Sequence, residues 1–333
     1  MRVVVLTTSY PSPEHPVAGN FVETAVEGVR ARGVEVSVVS PASFAHFGIA
    51  YGDGIAQNLR RAPWKLPLVP GFLAAYARTA RRAARDADLV HAHWIPSGLA
   101  ARATGKPYVL QVWGTDIELA RRAPMLVRPL VRGARLVVAA SSYLAREAQA
   151  LGARRVDVVP PGVPIPDEVA EPDEPSHVLF AGRLSEEKGI LEFVSATEGL
   201  PRVIVGDGPL RDRVPEAVGF VPPTAMGGYY ERAAVVCTPS RREGVGMTAR
   251  EAMAHGRPVV ATRVGGLADL GEGAVLVDAD GLGAAIGGLL ADPARREQLG
   301  SQARATAEAS FSPAASTEAL LSAYEAAVSA AAR

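Results

Sequence analysis

Two glutamates, Glu243 and Glu251, bracket a glycine-punctuated run that follows on the apolar segment Ala234 to Thr238. Gly244 and Gly246 break the loop between them, and the pattern predicts a helix from about Met247. Glycines at such a place let the backbone come close to a ligand. The N–H groups of Gly246, Met247 and Thr248 at the helix start form an anion site that the helix dipole reinforces, and a diphosphate fits it. Glu251 lies about 6 Å along the helix at 1.5 Å per residue. A carboxylate accepts two hydrogen bonds from a vicinal diol, so Glu251 suits a ribose and leaves Glu243 beside the hydroxyls of a sugar. A surface loop with one dipole-favoured glutamate would explain the pair alone; the glycines and the helix start favour the ligand site.

Upstream, the apolar run Val178 to Ala181 ends in Gly182-Arg183-Leu184-Ser185-Glu186-Glu187-Lys188-Gly189. Arg183 and Lys188 are two cations able to face the same diphosphate and offset its developing charge in place of a metal. The plainer reading is a solvated loop with two surface cations. Three further loops follow apolar runs. Gly206 begins a tight Asp207-Gly208 turn, Phe220 and Val221 sit beside Pro222 and Pro223 where a base could lie, and Gly265-Gly266-Leu267 could line the same crevice. For each of these, packing or a turn explains the residues equally well.

The elements that must position these loops are short apolar runs alternating with helical patterns. Val3 to Leu6, Val34 to Val39, Leu89 to His93, Tyr108 to Val112 and Leu136 to Ala139 are predicted strands of the first half. Val178 to Ala181, Arg202 to Val205, Ala234 to Thr238, Pro258 to Ala261 and Ala274 to Val277 are those of the second. Such alternation describes an α/β fold of two Rossmann-like, doubly wound parallel sheets, whose ligands bind beyond the carboxyl ends of the strands. Pro160, Pro161, Pro164 and Pro166 mark a linker that leads into an acidic stretch, Asp167 to Pro175. The expected domains are residues 1–165 and 166–310, with 311–333 as a helix, from about Ala314 to Ala331 after Pro313, returning to the first domain.

A chain of 333 residues with 48% apolar and only 6% aromatic residues agrees with two aliphatic cores. Residues 1–165 hold 20 Lys and Arg against 11 Asp and Glu, and residues 166–333 hold 15 against 24, about +9 and −9. The basic half could meet an anionic acceptor or membrane surface, or simply attract its acidic neighbour. Cys237, the single cysteine, excludes an intrachain disulfide and reads as buried strand. With no signal-like or spanning segment, a cytoplasmic location is expected.

These motifs resemble those of the retaining glycosyltransferases of family 4, which have the GT-B architecture of two Rossmann-like domains facing across a cleft. Glu243 through Glu251 is similar to the family's E-x7-E element, and Gly182-Arg183-Leu184 with Lys188-Gly189 to its phosphate-binding segment. The resemblance implies that Arg183 and Lys188 contact the donor diphosphate, Glu251 the ribose and Glu243 the transferred sugar, with no metal or other cofactor. In the first half, Ser9-Tyr10-Pro11 through Val17-Ala18-Gly19-Asn20-Phe21-Val22 resembles the family's loop after the first strand. There Gly19 would admit donor phosphate or acceptor, and Asn20 would meet the acceptor. His91-Ala92-His93-Trp94 resembles the segment bearing a histidine near the reacting sugar. Strand direction favours His93, although alternation puts both histidines on one side. Trp113 stands where many relatives have His before Gly114; unable to transfer protons, it would shape the pocket, and Asp116 becomes a candidate for acceptor contact. Pro164 and Asp269 are smaller departures, standing where relatives commonly have Asp and Glu.

The expected reaction is transfer of a hexosyl group from a nucleoside diphosphate sugar to an acceptor hydroxyl on a glycan, glycolipid or small metabolite. No nucleic-acid partner is expected. Residues 58–85 hold Arg60, Arg61, Lys65, Arg78, Arg81, Arg82 and Arg85 with no acid, interleaved with Trp64, Leu66, Phe72 and Tyr76. This is either a peripheral membrane-contact surface or a helix that buries its aromatic face, the reading the pattern favours. A nicotinamide oxidoreductase is disfavoured, because Thr7-Thr8-Ser9-Tyr10-Pro11 stands where Gly-x-Gly-x-x-Gly would follow the first strand. A sugar phosphorylase, an epimerase or a non-catalytic sugar-nucleotide sensor remain alternatives.

Overall fold

The computed structural model describes residues 1–16, 18–51 and 54–329, apart from the side chains of Glu118 and Leu119. Val17 and the expected end of the last helix at Ala331 lie outside the described residues. The chain forms two compact units, residues 1–162 with 316–333, and residues 163–315.

In the first unit, β1 (Arg2–Leu6), β2 (Glu35–Val39), β3 (Leu89–His93), β4 (Tyr108–Val112), β5 (Leu136–Ala139) and β6 (Val156–Val158) form one sheet of order β2-β1-β3-β4-β5-β6. Every neighbouring pair is parallel. Its helices are α1 (Asn20–Ala31), α2 (Ile55–Arg61), α3 (Val69–Ala83), α4 (Ile95–Ala103), α5 (Thr115–Arg122), α6 (Pro124–Gly133) and α7 (Ser142–Ala150). β3 and β4 are buried along their whole length, His91, His93 and Gln111 included, as central strands of a parallel sheet are when helices cover both faces. β6 was not expected from the sequence. It is a three-residue edge strand, only partly buried, so it carries no continuous apolar run.

In the second unit, β7 (Val178–Ala181), β8 (Arg202–Val205), β9 (Val235–Thr238), β10 (Val259–Thr262) and β11 (Ala274–Val277) form a parallel sheet of order β11-β10-β9-β7-β8. The helices α8 (Ile190–Ala196), α9 (Pro223–Arg232), α10 (Met247–Ala254), α11 (Leu282–Ala291) and α12 (Pro293–Thr306) accompany it. Cys237 is buried in β9 as expected, and burial raises its thiol pKa far above the ordinary value.

The boundary falls earlier than residue 165. Val163 is buried in the second unit's core, and its N–H donates to the Phe311 carbonyl at 2.8 Å. The last helix, α13 (Pro313–Ser329), follows a π turn over Ala307–Phe311. It enters the first unit at Ser316, where Leu320, Ala323, Tyr324 and Ala327 pack with Val22, Val26 and Val29 of α1. The approach is close enough to require Gly28, where a Cβ would stand 2.2 Å from the Thr317 hydroxyl oxygen.

Strand order reverses between β7 and β9 in the second sheet and between β1 and β3 in the first. Ligand crevices of doubly wound sheets open at these switch points. The loops after β7 and β9, and those after β1 and β3, therefore lead directly into the candidate sites.

Candidate active site

In the second unit, the loop after β7 and the loop after β9 meet. Lys188 Nζ lies 2.6 Å from Glu243 Oε2 in a half-buried ion pair, and the Ser240 hydroxyl donates to the same oxygen at 3.4 Å. Backbone contacts hold the loops together where no side chain fits. Gly189 lies at φ +71°, and a Cβ there would stand 1.9 Å from the Pro239 carbonyl oxygen. Gly246 caps α10 in the left-handed region (φ +81°), so that the helix begins at Met247 as expected.

Behind them, Gly266 N–H donates to the Glu243 carbonyl at 2.9 Å, so the 265–266 turn supports the acidic loop. Beside the start of α10 opens a cavity of about 370 Å³. Arg183, Gly206, Phe220, Val221, Thr248 and Glu251 all line it. Arg183, Thr248 of the helix start and Glu251 thus share this cavity, while Lys188 and Glu243 pair outside its lining, at the loop that leads into α10.

The first unit carries a different chemistry. β3 ends in His93, and the Trp113 indole N–H donates to His93 Nδ1 at 3.3 Å while the two rings stack at 5.9 Å. That bond puts the proton of a neutral His93 on Nε2. His91 Nδ1 lies 2.7 Å from the Tyr324 hydroxyl of α13. Both imidazoles are buried, and burial lowers both pKa values, that of His91 to about 3 and that of His93 well below its ordinary value. Trp94 lies at φ +63°, a costly conformation for a bulky residue. Phe21 of α1 packs against Trp113 at 4.5 Å and Trp94 at 5.8 Å, completing an aromatic cluster at the switch point. Gly19 caps α1 at φ +64°, and a Cβ there would stand 2.3 Å from the Ser9 carbonyl oxygen. Asn20 is exposed at the start of that helix.

This two-unit arrangement agrees with comparisons to known proteins. The family description Glycosyltransferase Family 4 matches residues 18–165, and Glycosyl transferases group 1 matches residues 175–292. A D-inositol 3-phosphate glycosyltransferase of Kineococcus radiotolerans is 30% identical over 98% of this chain and 87% of its own length. The chain is a family 4 glycosyltransferase. Its fold is GT-B. The sucrose-phosphate synthase of Thermosynechococcus elongatus superimposes with a TM-score of 0.78 at 20% identity, covering 99% of this chain and 100% of that one. Anabaena HepE, solved in complex with UDP-glucose, does so with a TM-score of 0.70 at 19% identity, covering 98% and 99%.

In this glycosyltransferase Asp116 does not reach out to an acceptor, contrary to expectation. It is buried, and its carboxylate accepts backbone N–H groups from Trp113, Gly114, Ile117 and Ile95 at 2.9–3.3 Å. It shapes the Trp113 loop and the start of α4 instead. Sequence reasoning also passed over two residues. Arg250, fully buried on α10, lies over the Phe311 ring at 4.7 Å. Burial lowers its pKa to about 10 against the pull of Asp269 and Glu243. Tyr230 of α9 bonds Glu251 and lines the donor-side cavity. Neither carries a local signal, since a tyrosine or an arginine within a helix is ordinary until its neighbours are known.

Proposed function

We propose that this glycosyltransferase moves a hexosyl group from a nucleoside diphosphate sugar to an acceptor hydroxyl, with retention at the anomeric carbon and no metal. The observation that carries the reading is the Lys188–Glu243 contact of 2.6 Å in the loops that lead into α10, the helix whose Thr248 and Glu251 line a cavity together with Arg183. Cations and helix amides for a pyrophosphate, one acid for the sugar and one for the ribose then share a single site. The related HepE structure with UDP-glucose supports a donor of this class.

The bond from the anomeric carbon to the diphosphate oxygen breaks, and its electron pair leaves with the diphosphate. Arg183, Lys188 and the N–H groups of Gly246, Met247 and Thr248 offset that charge as it develops. Retention requires the acceptor oxygen to bond on the departing face. The nearest base to its proton is then the leaving diphosphate itself. His93, neutral at any physiological pH, serves as a hydrogen-bond donor to the sugar, while Trp113 and Asn20 shape the acceptor side and Gly19 admits phosphate or acceptor. Phe220 and Val221 border the base.

Thermal-shift screening against UDP, GDP, ADP and TDP, then against their sugars, identifies the donor, because a bound ligand raises the apparent melting temperature by mass action. Proton NMR of the product is expected to show the donor's anomeric configuration, with the rate unchanged by EDTA. An inverted product, or one that forms only with inorganic phosphate, overturns the reading.

Peripheral membrane contact belongs to the same proposal, and one observation favours it over a helix that hides its aromatic face. Phe72 and Tyr76 of α3 are buried, but Trp64 and Leu66, in the 3₁₀ turn Pro63–Leu68 before it, are 70% and 56% exposed. Met125 and Leu126 at the start of α6 are 82% and 76% exposed. α3 and α6 both pack on α4, so their starts share one rim at the carboxyl ends of the strands. Exposed Arg60, Arg61, Arg122 and Arg128 accompany them. Apolar side chains interleaved with cations suit an anionic lipid surface bearing the acceptor. Sedimentation with phosphatidylglycerol vesicles is expected to pellet the protein, and Trp64→Glu with Met125→Glu to weaken that binding by about tenfold or more. Equal pelleting with neutral vesicles removes the membrane from the proposal.

A further inference from the structure

We propose that Tyr230 is a positioning residue for donor recognition: its hydroxyl holds one oxygen of Glu251 so that the other meets the ribose diol. The inference rests on the reading of Glu251 as the ribose acid given above. The Tyr230 hydroxyl lies 2.7 Å from Glu251 Oε2, and both residues line the 370 Å³ cavity. Tyr230 itself is fixed. It is buried in the core with Ala233, Val236 and Met253, and its ring lies 5.4 Å from that of His255.

A glutamate side chain turns about three bonds, and an unanchored one must give up that freedom when a nucleotide binds. The phenol removes the freedom beforehand. Burial pushes the Tyr230 pKa well above its ordinary value, so the hydroxyl keeps its proton and always donates. Thr248, at the helix start proposed to hold the diphosphate, lines the same cavity as Tyr230 and Glu251.

Ionisation is the second consequence. Burial raises the Glu251 pKa, and the Tyr230 hydrogen bond acts against that rise by favouring the carboxylate. Only the ionised acid is purely an acceptor. Nucleotide affinity must therefore fall as pH drops through the Glu251 pKa. Without the phenol that fall begins at a higher pH.

The test uses the full chain, with UDP, GDP and ADP and the 2′-deoxy and 3′-deoxy forms of whichever binds, and calorimetric dissociation constants from pH 5 to 8. The wild type is expected to prefer the ribonucleotide by about tenfold or more, the loss typical of a hydrogen bond to a charged group. Tyr230→Phe should reduce that preference to about threefold or less and move the acid limb of binding to higher pH. Site-specific 3-fluorotyrosine at position 230 is the companion should the phenylalanine variant fail to fold. Its more acidic phenol donates more strongly, so the acid limb should move to lower pH. A preference and pH profile unchanged in either variant overturn the role of Tyr230. A Glu251→Ala variant that still prefers the ribonucleotide instead removes the ribose assignment of Glu251, so the two failures are distinguishable.

Discussion

Replacing Arg183 and Lys188 together by alanine is expected to lower turnover by about a thousandfold or more, because losing a single preorganised charge-stabilising group typically costs 10²- to 10³-fold. The donor's KM should change by less than about tenfold. The reason for the split is timing. The diphosphate gains its negative charge as the glycosidic bond breaks, so groups aimed at it act mainly on the transition state. Lys188→Ala alone should exceed Arg183→Ala, since it also strips the 2.6 Å partner from Glu243 and leaves that carboxylate to rearrange. Steady-state kinetics with a thermal melt as folding control check this. Near-normal turnover in the folded double variant removes both cations from the mechanism.

A single methyl group at Gly265 should do comparable damage without touching a charge. The residue lies at φ +53°, and a Cβ would stand 1.8 Å from the Glu243 carbonyl oxygen. The left-handed conformation alone costs a side chain roughly 1–2 kcal/mol, and the overlap can be relieved only by displacing the backbone that carries Glu243. Misplacement of a reacting group by about 1 Å can cost a hundredfold in rate. Gly265→Ala is therefore expected to lower turnover by about a hundredfold and to reduce the melting temperature by several degrees. Gly287→Ala is the matched control. That glycine sits within α11 with ordinary backbone angles and nothing within 4 Å of its would-be Cβ. Alanine there should leave turnover unchanged and add about 0.5–1 kcal/mol of stability. Equal activity in the two variants would show that the acidic loop does not depend on the glycine turn behind it.

The fold was largely legible because both sheets are parallel. Strands buried on both faces, such as Leu136–Ala139 and Val178–Ala181, read as continuous apolar runs. The edge strand Val156–Val158, half in solvent beside a proline-rich linker, need not be. The linker prolines marked the boundary only approximately, because Val163 among them is drawn into the second core. Of the candidate site, the glycines, the cations after β7 and the start of α10 could be read from local pattern alone. Asp116 was misread for a physical reason. A carboxylate placed two residues after a glycine at a strand end looks available, but here the backbone N–H groups around it take up its oxygens.

By itself the sequence determined the order of every described strand except β6, the helix start at Met247 and the residue types delivered to the strand ends. Each follows from φ/ψ preference, burial period or capping within a few neighbouring positions. Only the tertiary structure decided the pairings: Lys188 with Glu243 across 55 positions, Tyr230 with Glu251, Trp113 with His93, and Tyr324 of the returning helix with His91 across 233. Such contacts depend on which strands become neighbours, with β7 beside β9 and β8 outside, and on where each side chain points once they do. No local pattern encodes either, because the energy that selects them comes from packing the whole core.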